Sequence, residues 1–360
     1  MKRLLVLAPA PTSAASTRFR LEQFFPALRA AGIEPTLRPF LDEPGFAVLY
    51  RPGARGEKVQ AALRALAGRM GDLARARDVD AVLIHREAAL VGPPVLEWLL
   101  ARPLGRPLVF DLDDAVWVPY SSPTYGALLS RLLKAPGKTY FTLRAAAAVM
   151  AGNEHIAEEA RRYNRNVHVV PTVVDTEIFR PVPRSNPVPV LGWIGTPSSA
   201  QYLRILAPVL ARLAERHRFV VRIVGAPPEF SLPGVPVELL PWQQARELSD
   251  FQGLDIGLYP LALDAWSLGK SGFKAVQYMA CGVPVIASPV GVTAEMIRHD
   301  ETGLLARDEA EWTDGLERLL GDARLRARLG DAGRAEAVAH WSLAVHAPRV
   351  VDILYRVVSA

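Results

Sequence analysis

Short apolar runs alternate with longer amphipathic stretches along this chain. The runs have the length and composition of strands, and the stretches repeat apolar residues at helical spacing. In the first half, strands are predicted at 4–10, 81–87, 107–115 and 146–153, and a further strand begins at 167. Helices are predicted at 17–32, 57–77 and 94–102, and a further helix follows residue 153 and continues through 163. This alternation is typical of a parallel sheet with helices on its faces.

A proline-rich segment divides the pattern into two halves. Residues 180–190 contain four prolines, so they cannot form a regular helix and are typical of a linker. After this segment, strands are predicted at 190–195, 219–225, 255–261 and 283–291, and helices at 200–216, 272–281 and 309–337 and from 342.

The sequence therefore predicts two α/β domains, at 1–180 and 181–340. A C-terminal helix at 341–360 is expected to pack back toward the first domain. Ligands of such sheets bind beyond the carboxyl ends of the strands. We expect two of these edges to face each other across a cleft.

The composition is that of a globular protein, with 50% hydrophobic and 22% charged residues among 360. No apolar run is long enough for a transmembrane helix. The N-terminus resembles a signal peptide only superficially, and we interpret it as a buried first strand. The single cysteine, Cys281, excludes an internal disulfide and favours a reducing cytoplasm.

The charge is unevenly divided between the halves. Residues 1–185 hold 25 Lys and Arg against 18 Asp and Glu (+7), and residues 186–360 hold 17 against 19 (−2). A basic half could attract anionic lipid or a phosphorylated substrate, whereas nucleic-acid-binding motifs are lacking. Residues 127–144 mix leucines with bases and contain no acid. They predict either a peripheral contact with an anionic membrane or ordinary core packing with a solvated basic edge.

Two of the six lysines, Lys270 and Lys274, lie where a helix is predicted to begin. The unpaired N–H groups there make a cation unfavourable by a few tenths to about 1 kcal/mol. A bound anion would remove the conflict, with Ser271 and Gly272 offering N–H groups. The alternative is a pair of solvated lysines on a surface turn.

Several segments resemble the family-4-type (group 1) glycosyltransferases, which have the GT-B fold. The segments LGWIGTP, RIVG, DIGLYPL, GKSGFKAVQYMACGVPVIASPVG and ETGLL resemble the C-terminal domain, and PTVVDTEIFRP resembles the hinge before it. HREAALVGPPVLEWL and FDLDDAVW resemble the N-terminal domain of a bacterial subgroup. The implied fold is GT-B, with two Rossmann-like doubly wound domains facing across a cleft.

The resemblance implies transfer of a sugar from a nucleotide-sugar donor to a glycan or lipid-linked acceptor. It further implies retention of anomeric configuration and no cofactor or bound metal. Lys270 and Lys274 would stabilise the diphosphate as it leaves. The remaining donor-binding residues implied are Gly195, Thr196, Gly225, Trp242, Ser271, Gly272, Phe273 and Gln277.

The chain departs from many relatives at four of the expected positions. Thr196 and Gln201 stand where an arginine and a lysine are common, and Gly269 and Gln277 stand where two glutamates are common. Charge compensation for phosphate would therefore depend more on the two lysines. Trp242 is expected either to flank the base of the nucleotide or to pack within the protein.

Charged residues close the predicted strands of the first half. Asp111, Asp113 and Asp114 follow one strand, and we favour a role in sugar or acceptor binding, with Asp111 and Asp113 catalytic, over loop solvation. We also place His85, Arg86 and Glu87, which close another strand, on the acceptor side. Arg18 is placed there as well, and it follows the first strand together with Arg20.

Three alternatives to a metal-independent GT-B transferase stay open, the third being a metal-dependent transferase that uses Asp111 and Asp113. A sugar-nucleotide epimerase or phosphorylase-like enzyme shares the fold, and a non-catalytic sugar-nucleotide-binding protein would explain Gly269 and Gln277. Asp111-x-Asp113 also matches the metal-binding motif of a different glycosyltransferase fold. We expect a cytoplasmic enzyme, with a peripheral position at the inner face of the membrane as the alternative.

Overall fold

The computed structural model describes residues 1–49, 51, 53–118, 135 and 137–360. They form two compact units. The first unit comprises Met1–Thr172, Gly269–Ser271 and His346–Ala360, and the second comprises Val173–Leu268 and Gly272–Val345. The first boundary, at Thr172 and Val173, falls eight residues before the predicted end of the N-terminal domain.

The described part of the first unit contains a six-stranded parallel sheet. Its strands are β1 (Lys2–Ala8), β2 (Ile33–Pro39), β3 (Ala81–His85), β4 (Leu108–Leu112), β5 (Ala148–Ala151) and β6 (Val167–Val169). Their order is β2-β1-β3-β4-β5-β6. The order reverses between β1 and β3, and ligands of doubly wound sheets bind at such a switch point.

Helices cover both faces of this sheet. They are α1 (Ala15–Arg20), α2 (Phe25–Ala30), α3 (Glu43–Leu49), α4 (Arg55–Arg75), α5 (Val95–Ala101), α6 (Lys138–Ala145) and α7 (Glu154–Arg161). Leu5, Val82 and Phe110 of the strands share one core with Leu100 and Ile156 of the helices. The single helix predicted at 17–32 is wrong, because the chain breaks between α1 and α2, where Pro26 lies in the first turn of α2.

The second unit repeats this architecture with a different strand order. Its strands are β7 (Val190–Ile194), β8 (Val220–Val224), β9 (Val237–Leu240), β10 (Ile256–Tyr259), β11 (Val285–Ala287) and β12 (Leu304–Leu305). They form a parallel sheet in the Rossmann-type order β12-β11-β10-β7-β8-β9. Its switch point lies between β7 and β10.

The helices of the second unit largely follow the prediction. They are α8 (Ala200–Leu203), α9 (Ala207–Ala214), α10 (Glu247–Gln252), α11 (Ala265–Leu268), α12 (Phe273–Ala280), α13 (Thr293–Met296), α14 (Glu309–Gly321) and α15 (Ala323–His340). The predicted helix at 200–216 is divided before Pro208, which lies in the first turn of α9. The predicted helix at 309–337 is also two helices, because Asp322 caps α15 by accepting from the N–H groups of Arg324 and Leu325. The last helix, α16 (Leu343–Ser359), runs from the second unit into the first.

The proline-rich segment 180–190 is irregular, as predicted, but it is held against the second unit. The Arg184 guanidinium donates to the carbonyl oxygens of Leu254 and Gly282. The Asn186 amide donates to the Gly253 carbonyl and the Asp255 carboxylate. These contacts fix the segment beside β10, so it is a packed part of this unit.

Within the described residues, no helix combines the length and apolarity needed to span a membrane.

Cys281 should be inert toward thiol reagents in the native protein. Its side chain is 1% exposed, and burial raises the pKa of the thiol to about 12. Because the thiolate is the reactive species, a maleimide should label the protein only after urea unfolding, as mass spectrometry would detect. The Cys281→Ser variant should remain unlabelled in both conditions, and rapid labelling of the native protein would contradict the buried position.

Candidate functional site

Three ionisable side chains, Arg20, His85 and Asp111, meet at the carboxyl ends of β1, β3 and β4 in the first unit. Arg20 of α1 forks onto the Asp111 carboxylate, with its Nε 3.2 Å from Oδ2 and its Nη2 bonded to Oδ1. Its Nη1 donates to the Val170 carbonyl at 2.5 Å. Both side chains are buried. A buried charge is stable only when paired and hydrogen-bonded, and this pair satisfies both conditions.

His85 closes β3 beside this pair and is completely buried. Its Nδ1 lies 2.7 Å from Asp111 Oδ2. Its Nε2 has no hydrogen-bond partner and lies 3.8 Å from Asp113 Oδ1. Because ionised Asp111 can only accept, Nδ1 carries the proton, and in neutral His85 the Nε2 lone pair can accept a hydrogen bond.

Arg86 is held in the left-handed backbone region, with φ 58°. Its N–H donates to the Asp111 carbonyl at 2.8 Å. Its guanidinium donates to both oxygens of Asp113, at 2.5 and 2.8 Å, and lies 2.7 Å from Asp114 Oδ2. The strained backbone thus directs one arginine onto two carboxylates.

The three carboxylates differ in proton affinity. Burial raises the pKa of Asp111, but the Arg20 guanidinium and His85 outweigh it and hold the pKa below its usual range. Arg86 and His85 do the same for the pKa of Asp113. Burial raises the pKa of Asp114 above its usual range despite the Arg86 guanidinium. The cluster therefore combines two anchored carboxylates with one that is more readily protonated.

Two expected roles in the first unit need correction. The Asp111 carboxylate is enclosed by Arg20 and His85, so we assign it to positioning His85 rather than to contact with a sugar. Glu87 forms an ion pair with Lys138, whose Nζ also donates to the Ala89 carbonyl at 2.6 Å. This pair fastens the loop after β3. Arg18 lies over the Phe19 ring, 5.1 Å from its centroid.

Lys138 also bears on the predicted basic segment. Residues 127–134 and 136 lie outside the described residues. Lys138 itself is buried, which corrects its expected place on a basic surface.

In the second unit, glycines bring the ends of β7 and β8 close together. A Cβ on Gly225, which has φ +84°, would lie 2.3 Å from the Gly195 carbonyl oxygen and 3.3 Å from Trp242 Cβ. Gly195, Gly225 and Trp242 are therefore neighbours, as expected for one binding edge. Thr196 follows in an exposed turn, with its N–H 2.9 Å from Ser199 Oγ.

The start of α12 differs from the expectation for Gly272 and Lys274. Gly272 has φ +64°, and the space for a Cβ is filled by Val292 and Met296, so backbone conformation and packing require glycine there. Lys274 Nζ donates to Gln277 Oε1 at 2.9 Å and lies 3.9 Å from the buried Glu247 carboxylate. The counter-charge near Lys274 is thus supplied by the protein itself.

Lys274 is further enclosed by aromatic rings. Its Nζ lies 5.2 Å from the centroid of the Phe273 ring and 5.3 Å from that of Phe251. Gln277 is completely buried, and its Nε2 has no hydrogen-bond partner. A buried amide donor without a partner is costly, and it is available to a ligand.

The predicted pair of lysines is divided between the units. Gly269–Ser271, which includes Lys270 and Ser271, belongs to the first unit, and Lys274 belongs to the second. Asn153 Nδ2 donates to the Lys270 carbonyl at 3.0 Å. The positive charge of Lys270 lowers the pKa of Asp114, against the larger effect of burial.

Sequence reasoning missed Glu247, Phe251 and Lys138. Glu247 and Phe251 lie on the short α10, and no local sequence pattern pairs them with Lys274. Lys138 was assigned to a surface, although a lysine in an apolar stretch can equally pair with a buried carboxylate. Among the described residues no group of His, Cys, Asp and Glu has the geometry to hold a metal ion.

Residues 188–322 match the family model described as "Glycosyl transferases group 1". This part of the chain resembles the group 1 glycosyltransferases. The resemblance recognised in the sequence is thereby confirmed.

Curated relatives of this chain are named as D-inositol 3-phosphate glycosyltransferases. The protein from Stackebrandtia nassauensis is 30% identical over 49% of this chain and 45% of its own length. The protein from Xylanimonas cellulosilytica is 26% identical over 66% of this chain and 64% of its own length. The chain spans 29 to 64% of the length of the first three curated relatives that it matches.

Solved structures resemble the fold of this chain over nearly its whole length. Anabaena HepE in complex with UDP-glucose has a TM-score of 0.69 at 15% identity and covers 99% of this chain and 100% of its own. Sucrose-phosphate synthase from Thermosynechococcus elongatus has a TM-score of 0.67 at 18% identity, covering 99% and 98%. At these identities the likeness shows the fold, and together with the two parallel sheets it confirms the predicted GT-B class.

Proposed function

We propose that the protein transfers a sugar from a nucleotide-sugar donor to an acceptor hydroxyl, with retention of configuration. The observation that carries the proposal is the group 1 match over 188–322. This range contains the edge formed by Gly195, Gly225 and Trp242 and the start of α12 with Gln277. These are the places where a sheet of this type binds its ligand.

The donor we propose is a uridine diphosphate sugar. HepE, with the same fold, was solved with UDP-glucose. The unpartnered Nε2 of Gln277 supports a hydrogen bond to a ribose hydroxyl, which replaces the carboxylate contact that many relatives make. The N-terminal end of α12 carries the positive end of the helix dipole, which supports a diphosphate nearby.

The acceptor site we propose lies on the first unit, at His85. Its Nε2 is unpartnered, and Asp111 fixes the ring so that Nε2 accepts a hydrogen bond. A hydroxyl of the bound sugar or acceptor is the matching donor. Some relatives are named as D-inositol 3-phosphate glycosyltransferases. The +7 charge of residues 1–185 favours an acceptor that carries phosphate, such as a phosphorylated polyol or a lipid-linked glycan. We place the reaction in the cytoplasm, where Cys281 stays reduced.

The metal-dependent alternative receives less support from the geometry. Asp111 and Asp113, its proposed ligands, are each bound by an arginine, Arg20 and Arg86. A metal would have to replace both arginines. The transferase proposal makes no such demand.

UDP and UDP-sugars should raise the melting temperature of the protein, because a ligand that binds the folded state stabilises it by mass action. In Gln277→Leu, which lacks one uncharged hydrogen bond, we expect UDP to bind about three- to tenfold more weakly. Calorimetric titration would measure the affinity. The exposed Gln60→Leu in the first unit is the matched control and should bind UDP normally.

Failure of every nucleoside diphosphate to shift the melting temperature would contradict the donor site. Product analysis separates the remaining alternatives. Free sugar or epimerised donor formed without an acceptor would indicate an epimerase. Donor binding without turnover over a panel of acceptors would indicate a non-catalytic binding protein.

A further inference from the structure

Lys274 and Gln277 lie about one turn apart on α12 in the second unit and are hydrogen-bonded to each other. The Lys274 Nζ is 2.9 Å from Gln277 Oε1. Gln277 is completely buried, whereas the Lys274 side chain is partly exposed. Residues three apart on a helix are neighbours on its surface, so the bond follows from the local geometry of the helix. What the bond decides is the direction in which a buried amide points.

The chemistry of the two groups fixes the orientation of the Gln277 amide. A lysine ammonium has three hydrogen-bond donors and no acceptor, whereas an amide has an oxygen that accepts and a nitrogen that donates. The oxygen must therefore face Lys274, because the reverse orientation would bring N–H groups against an ammonium. The amide nitrogen Nε2 is then turned away from Lys274, and it has no hydrogen-bond partner among the described residues.

The Lys274 ammonium is itself held in place from a second helix. The carboxylate of the buried Glu247 on α10 lies 3.9 Å from Nζ. The ring of Phe251, also on α10, has its centroid 5.3 Å from Nζ, and the ring of Phe273 has its centroid at 5.2 Å. A carboxylate and the faces of aromatic rings both attract a cation. The donor that Gln277 meets is therefore anchored by the packing of α10 against α12.

The anchored lysine decides which atom of Gln277 can meet a ligand. Without a fixed neighbour, an amide can turn over and present either its oxygen or its nitrogen, because the two ends have nearly the same shape. With Lys274 on the oxygen, only the N–H groups are left to bind. A buried donor without a partner is costly, so a ligand that brings an acceptor oxygen to Nε2 removes that cost. Ribose hydroxyls and phosphates both carry such oxygens.

We propose that Lys274 is a positioning residue, which orients the Gln277 amide so that Nε2 donates to an acceptor oxygen of the bound nucleotide. The ammonium acts through Gln277 and not by direct contact with the diphosphate. The two roles differ in one respect that can be measured, because a lysine that binds phosphate contributes whether or not Gln277 is present. The inference rests on the nucleotide site of the proposed function, but it does not require sugar transfer.

The test is a double-mutant cycle on the full chain, with UDP affinity measured by calorimetric titration. Lys274→Met should weaken UDP binding by about three- to tenfold, the loss expected for Gln277→Leu, because both changes remove the same oriented hydrogen bond. The double variant should bind at most about twofold more weakly than Gln277→Leu alone, since residues that act as a unit are not additive. Lys2→Met, at an exposed lysine of the first unit, is the matched control and should bind UDP normally.

Two further variants separate orientation from charge and from folding. Lys274→Arg keeps a cation that can only donate, and it should restore most of the affinity lost in Lys274→Met. Lys274→Met leaves the buried Glu247 carboxylate without the nearby ammonium, so the cycle is repeated in the Glu247→Gln background, where that charge is absent. Melting temperatures without ligand show that each variant is folded.

Salt dependence gives an independent readout. The loss of affinity in Lys274→Met should be the same at low and high salt, because the orientation of a buried amide is not screened as an attraction between lysine and phosphate is. An equal loss from Lys274→Met with and without Gln277 would overturn the inference and assign Lys274 to the diphosphate. Normal UDP binding with additive losses therefore overturns this inference alone, whereas absence of UDP binding to the unmodified chain overturns it together with the donor site.

Discussion

Replacing Asp111 by asparagine should lower the free energy of unfolding by about 3–5 kcal/mol, because it removes one partner of a buried ion pair. The Arg20 side chain is 1% exposed, and its fork onto Asp111 neutralises it. Without the carboxylate, the buried Arg20 charge loses its hydrogen-bonded counter-charge. Urea denaturation followed by circular dichroism would measure the loss.

Two controls distinguish the cost of an unpaired buried charge from the cost of losing a contact. Arg20→Leu/Asp111→Leu removes both charges and should recover most of the stability lost in Asp111→Asn. Glu34→Gln breaks the exposed pair with Arg29 and should cost about 1 kcal/mol or less. If Asp111→Asn cost no more than Glu34→Gln, the buried pair would not have the role assigned to it.

The two anchored carboxylates, Asp111 and Asp113, make the free energy of unfolding depend on pH. The pKa values of Asp111 and Asp113 lie below their usual range in the folded protein. The stability that they contribute is therefore complete above the unfolded pKa of about 4 and is lost as the pH falls through the folded pKa values. We expect a smaller loss of stability below about pH 4 in Asp111→Asn, which has no carboxylate left to protonate at that site.

The apolar pattern predicted most strands because buried parallel strands are nearly continuous apolar runs. β3 and β4 are examples, since every residue of each is buried. β2 and β9 were missed because neither strand is a buried apolar run. β2 contains Pro35 and polar residues that are only partly buried, and β9 has no fully buried residue.

The sequence predicted which strand ends carry the side chains of the candidate site, but not which side chains pair with one another. Acids and a histidine at strand ends had to share an edge, because parallel strands end on the same side. The pairing of Arg20 with Asp111, 91 residues apart, depends on how α1 packs, and no local pattern encodes that. Lys274 shows the same limit, since its position favoured an anion and its neighbour Glu247 is the one found.

Because Lys274 lies near Glu247, we expect Lys270 to be the residue that stabilises the charge of the leaving diphosphate. The arginine and lysine common in relatives are Thr196 and Gln201 here, and the Lys274 ammonium already contacts Gln277 and Glu247. Lys270→Met should therefore lower kcat for sugar transfer by about 10²–10³-fold, as loss of a group that stabilises developing charge does. KM for the donor should change much less, because the effect falls on the transition state.

Release of the nucleoside diphosphate, with the donor identified by thermal shift, would measure both constants. Lys2→Met, at the exposed pair with Asp80, is the matched loss of a lysine and should leave kcat unchanged. Lys274→Met should reduce kcat less than Lys270→Met, because the Lys274 ammonium is held by Gln277 and lies near the Glu247 carboxylate. An unchanged kcat in Lys270→Met would show that another group carries the charge of the leaving diphosphate, and the helix N-terminus at Phe273 would then be the part of the chain to examine.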